Sequence, residues 1–132
     1  MNLESPKVSL NKSGQEVFEY ISNLENFEKL MPENTDKFEL LNENRFLFAL
    51  KGMPEIVLEK KEQTPYSELV LGAASDKLPF KLKAVIDEIS DSNTEVQLHF
   101  EGEFNAMMAM MVKAPLSKFL NSLIEQLQSN LS

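Results

Sequence analysis

Two runs in the second half of the chain alternate apolar and polar positions. Phe80, Leu82, Ala84 and Ile86 fall on every second residue, and so do Val96, Leu98 and Phe100. Period two is the spacing of a half-buried strand, so strands are predicted over residues 80–89 and 94–104 around the turn Asp91-Ser92-Asn93. Phe46 and Phe48 alternate in the same way, and residues 37–41 and 45–50 read as a hairpin around Asn42-Glu43-Asn44. Further strands are predicted over 56–61, after Gly52-Met53-Pro54, and over 66–74, after Thr64-Pro65. The breaks are short, which favours antiparallel neighbours. Near the start, residues 7–11 alternate through Val8 and Leu10. Ser13 and Glu16 then form a capping box that opens a helix carrying Val17, Phe18, Tyr20 and Ile21. A second short helix is predicted over 24–31, with Phe27, Leu30 and Met31 apolar, and Pro32 stops it.

The last quarter follows a different period. Residues 105–131 read as one long helix, with Asn105 as N-cap and strong helix formers after it. At about 1.5 Å per residue it runs roughly 40 Å. Pro115 lies inside it, removes a backbone donor and crowds the carbonyl of Met111, so a kink is expected. The apolar stripe changes face there. Phe104, Met107, Met108, Met111 and Val112 share one face before the proline. The apolar set after it is Leu116, Phe119, Leu120, Leu123, Ile124, Leu127 and Leu131. The line through Met107 and Met111 continues as Lys118, Ser122, Glu125 and Ser129. A bent helix could lay both apolar halves on a curved surface. Four of the seven methionines fall between Met107 and Met111. Flexible thioethers suit an ordinary core and an adjustable ligand wall equally well.

Composition narrows the function. At 132 residues the chain is expected to be a single domain over 1–132. It contains no cysteine, so disulfides are excluded and a cytoplasmic location is expected. The N-terminal residues do not read as a signal peptide, and no segment is long and apolar enough to insert in a membrane. The formal charge of −8 disfavours nucleic acid as a partner. Lys81 and Lys83 on one strand face are the nearest thing to a basic patch.

Candidate chemistry is sparse. His99, the single histidine, alternates with Leu98 and Phe100 and should point away from the apolar face. With one histidine and no cysteine, no metal and no cofactor are expected. The stretch from Asp91 to Glu95 lacks the glycine of a calcium loop and reads as a hairpin turn. No phosphate-binding loop, dinucleotide fingerprint or nucleophile elbow occurs. Of Glu59 and Lys60, one must share the inner face if that strand continues far enough. Arg45 flanks a hairpin turn.

The element order β-α-α-β-β-β-β-β-β-α, the capping-box helix SGQEVFEYIS, the phrase NLENFEKLMP and the long terminal helix together resemble the SRPBCC superfamily, the START and birch-pollen-allergen-like helix-grip fold. The resemblance implies an α+β fold in which a seven-stranded curved antiparallel sheet grips a long kinked C-terminal helix, with an apolar cavity between them. Members include lipid carriers, polyketide cyclase-like enzymes, coenzyme Q-binding proteins and chaperone activators, so the fold does not select a function. The first expectation is binding of an apolar or amphipathic small molecule, a lipid, polyketide or isoprenoid-like compound, by Phe48, Leu82, Leu98, Phe100, Phe104, Met107, Met108 and Met111. The alternatives are a cyclase or dehydratase using Glu59 or Lys60, and an interaction module with a filled cavity that docks a protein partner or a second copy. No catalytic residue is assigned.

Overall fold

The computed structural model describes residues 1–53, 55–74 and 80–131. The breaks expected at Pro54 and Pro79 lie outside them. The elements are β1 (Asn2–Glu4), β2 (Val8–Leu10), α1 (Gly14–Ser22), a 3-10 helix (Leu24–Leu30), β3 (Thr35–Asn42), β4 (Arg45–Leu50), β5 (Ile56–Thr64), β6 (Glu68–Ala73), β7 (Phe80–Ser90), β8 (Asn93–Gly102) and α2 (Ala106–Leu131). All strand pairs are antiparallel, in the order β1-β8-β7-β6-β5-β4-β3, with β2 also on β8. This is the α+β helix-grip architecture, with one correction. Among the described residues the sheet has eight strands rather than seven, because β1 and β2 lie end to end along β8. Asn2–Glu4 is three residues long, too short to show alternation, and it is a strand through its pairing of Leu3 with Phe100.

Local chemistry explains most boundaries. The Ser13–Glu16 capping box forms as expected, and the side chain of Glu88 accepts a further bond from Gly14 N at 2.8 Å. The second short helix is 3-10 rather than α. Its buried residues Leu24, Phe27 and Leu30 recur every third position, which is the period of that helix. Strand β6 begins later than expected because Tyr66 has φ 86°, in the left-handed region outside any strand. Ser67 N closes that turn on Thr64 O.

Helix α2 is unbroken through Pro115 and buries Leu116, Phe119, Leu120, Leu123, Ile124 and Leu127. Phe119 stacks on Phe48 of β4 with centroids 5.0 Å apart and an interplanar angle of 7°. From Phe48 the aromatic packing continues to Phe46, and Phe46 stacks on both Phe27 and Phe38. The centre of the grip is therefore filled. Between Leu82, Leu98, Leu123 and the 3-10 helix a void of about 20 Å³ remains, room for roughly one water, and its apolar walls would leave it dry.

The junction between β1 and β2 is held by Ser5, which is buried. Its amide donates to Leu98 O and its hydroxyl accepts from Leu98 N, both at 2.9 Å. Ser5→Ala leaves the buried Leu98 N–H without an acceptor and should lower stability by about 1–3 kcal/mol, measured by urea unfolding.

Candidate functional site

A cavity of about 240 Å³ opens where the first half of α2 leaves the sheet. Phe80, at the start of β7, stacks on Phe100 of β8 at 5.2 Å, and Phe100 stacks on Phe104 at 6.4 Å. These three rings make one wall. Met107, Met108, Met111, Val112 and Leu116 of α2 make a second. Met53 and Ile56 complete it beside Gly52 of the β4–β5 connection. Gly52 has φ 85°, a turn conformation that other residues adopt only with strain. Gly102 has a different role. A Cβ there would collide with the ring of Phe104, so the missing side chain is what allows Phe104 to fold over the end of β8.

The wall carries little polarity. Among the described lining residues none is ionisable, and Asn105 is the one polar side chain. Its Oδ1 accepts from Met108 N at 2.8 Å, the N-cap bond expected from the sequence. Such a surface can exclude water and contact apolar groups. Among the described lining residues there is no positioned acid or base, which proton-transfer chemistry requires.

Five of the eight expected lining residues converge here: Phe100, Phe104, Met107, Met108 and Met111. Three do not. Phe48 is buried under Phe119, and Leu82 and Leu98 border the small central void. All three share the inner face of the sheet with the cavity wall but sit where helix and sheet already touch. Met53, Ile56, Phe80, Val112 and Leu116 complete the apolar wall without having been expected there. Phe80 and Ile56 have the inward parity of their strands and lie at the open end, whereas Met53 sits in a connection with no periodicity to reveal it.

The methionines also differ from expectation in burial. A bend at Pro115 was expected to bring the line of Met107 and Met111 onto the sheet. Instead Met107, Met110 and Met111 are 75%, 83% and 71% exposed, while Met108 is 37% exposed. The helix is continuous across the proline. The Met107–Met111 line runs on into Lys118 and Glu125, both exposed. The line of Met108 and Val112 runs on into Phe119, which is buried.

The remaining candidates lie away from the cavity. His99 is on the outer face, across from Lys83 and 3.6 Å from the Glu4 carboxylate. Lys83 is itself 3.4 Å from Glu68, and Lys81 faces a surface groove with Glu62 and Glu101, so the lysines form a mixed-charge face. Glu59 bridges Arg45 at 2.7 Å and Lys61 at 2.6 Å. The hydrogen bond from Lys61 holds its carboxyl below the usual range, opposed by partial desolvation and aided by Arg45. Lys60 has the parity of Ile56 and Leu58 and pairs with Leu71, but it sits at the register shift between Lys60 and Glu62 and borders a polar surface groove. No group of three or more metal-ligating side chains occurs among the described residues.

No protein-family model matches the sequence, and no curated protein matches it. Solved structures do match in fold. An aromatase/cyclase from Streptomyces sp. R1128 superposes with a TM-score of 0.75 at 12% identity, over 99% of this chain and 93% of that one. Norcoclaurine synthase from Thalictrum flavum gives 0.73 at 7% identity, over 99% and 93%. A START superfamily protein from Mycobacterium smegmatis gives 0.72 at 10%, over 98% and 96%. The chain shares the helix-grip fold of these structures. Identities this low establish the fold alone.

Two outcomes follow from this geometry. Gly102→Ala should push Phe104 off its place beside Phe100 and lower stability by roughly 1–3 kcal/mol through overpacking, measured by thermal unfolding. Glu59→Gln should leave any ligand binding unchanged. Because the folded carboxyl titrates lower than the unfolded one, the ion pairs of Glu59 stabilise the fold above its unfolded pKa. That contribution is lost as pH falls through the folded value. The variant should therefore be less stable than the parent by a constant amount at neutral and alkaline pH, and the difference should disappear as pH falls through the acid range.

Proposed function

We propose that the protein binds an apolar or amphipathic small molecule in the cavity between α2 and the open end of the sheet. The observation that carries this reading is the wall itself. Three stacked phenylalanines face three methionines across about 240 Å³ with no ionisable lining residue among those described. Sites for drug-sized ligands span about 300–1,000 Å³, so this one suits a single ring system or the end of a chain. The methionine wall can also enlarge, because thioether side chains have three rotatable bonds and adapt to variable partners. Structural likeness to a cyclase, a synthase and a START protein supports a small-molecule ligand. A lipid, polyketide or isoprenoid fragment has the required chemistry.

A second reading, an interaction module, draws on the filled centre of the grip and the exposed methionine face. It differs in outcome, because it requires no uptake of small apolar molecules.

Met108→Trp separates the two. With a cavity beside it, the indole occupies ligand space and the fold loses less than the about 1–3 kcal/mol that overpacking costs in a filled core. Affinity for the neutral fluorophore N-phenyl-1-naphthylamine should fall about tenfold, equivalent to ~1.4 kcal/mol. Thermal unfolding and fluorescence titration measure the two effects. If the parent protein does not bind the fluorophore and Met108→Trp is strongly destabilised, the binding reading fails and the interaction module takes its place.

A further inference from the structure

We infer that the methionine half of α2 is a site of reversible oxidation by hydroperoxides, and that oxidation at Met107 and Met111 lowers the affinity of the cavity for apolar ligands. The second half of this inference rests on the binding function proposed above. The first half does not.

Three observations carry it. The chain has no cysteine, so thioethers are its sulfur chemistry. Met107, Met110 and Met111 are largely exposed, whereas Met31 and Met53 are partly buried and pack against the core. Oxidation of methionine follows exposure. Finally, Met107 and Met111 line the cavity while Met110, on the same helical turns, does not. One exposed patch therefore contains two largely exposed thioethers that line the cavity, Met107 and Met111, and one that does not, Met110; Met108, at 37% exposure, also lines it and should oxidise more slowly.

The step is a two-electron oxidation. The thioether sulfur attacks one peroxide oxygen, an S–O bond forms as the O–O bond breaks, and hydrogen peroxide is reduced to water. An organic hydroperoxide would leave as its alcohol. The product sulfoxide is a strong acceptor with no proton to donate. Among the described lining side chains only Asn105 carries a donor group, its Nδ2, since its Oδ1 caps the helix. A sulfoxide at Met107 or Met111 is hydrated in the free protein, an apolar ligand that covers it displaces that water, and burying such a dipole with at most one side-chain donor beside it is unfavourable. Exposure leaves the same atoms within reach of a sulfoxide reductase, so the change is reversible.

The test treats the full chain with hydrogen peroxide and follows each methionine by peptide mass spectrometry, alongside titration with N-phenyl-1-naphthylamine. Met107, Met110 and Met111 should oxidise about fivefold or more faster than Met31 and Met53. Affinity for the fluorophore should fall about tenfold and recover after treatment with both methionine sulfoxide reductases and a thiol reductant. Met110→Leu should retain both the binding and its loss. In Met107→Leu/Met111→Leu, the ratio of affinity before and after peroxide should be close to one, although Met110 still oxidises. Equal oxidation rates across the methionines overturn the site. An affinity loss that persists in the double variant, or that vanishes in Met110→Leu, overturns the link to the cavity. A parent protein that does not bind the fluorophore before oxidation removes the binding function and the link together, and the oxidation order alone then decides the modification site.

Discussion

The contact on which the rest of the molecule depends is the seating of the second half of α2 in the concave face of the sheet. Leu116, Phe119, Leu120, Leu123, Ile124 and Leu127 are all buried there, and the parallel stack of Phe119 on Phe48 fixes the helix against β4. A 26-residue helix is about 39 Å long, close to three times the radius of gyration of about 14 Å expected of a domain of this length. The 3-10 helix closes one end, with Phe27 stacked on Phe46. Aromatic packing and leucines together leave almost no space in this part of the grip.

That seating determines what remains at the other end. Helix α2 keeps one inward line, through Met108, Val112, Phe119 and Leu123, and one outward line, through Met107, Met111 and Lys118. Ahead of Pro115 the inward residues are less buried, with Val112 only partly covered by the core and Met108 37% exposed. Phe80, Phe100 and Phe104 stack among themselves, and the gap between rings and thioethers is the cavity. Pro115 removes the amide that would have bonded to the Met111 carbonyl. The half of the helix beside the cavity is therefore tied less firmly at that point than the half that fills the core.

Much of this was legible in the residues themselves. Alternation through Phe80–Ile86 and Val96–Phe100 located β7 and β8, the Ser13–Glu16 box opened α1, and Asn105 capped α2. The spacing of Leu24, Phe27 and Leu30 carried the 3-10 period, although an α-helix was expected. Strand β1 left no trace because three residues cannot display a period. The site was half legible. Inward parity is the same for Phe48, Leu82 and Leu98 as for Phe100, yet the first three sit where the helix touches the sheet and the last where it does not. Parity reports a face, whereas the cavity depends on how far the helix stands from that face. The continuation of Met107 and Met111 into Lys118 and Glu125 was the available signal that this line faces water.

The central claim is that the room for a ligand lies under the methionine half of α2 and not in the middle of the grip. It is tested most directly by labelling the methionine methyl groups with carbon-13 and titrating the protein with N-phenyl-1-naphthylamine in solution NMR. Four of the reporters, Met53, Met107, Met108 and Met111, line the cavity, and Met31 packs against the filled core. The account predicts concentration-dependent shifts of the four cavity methyls with Met31 unmoved. Shifts centred on Met31, or none at any methionine, would contradict it.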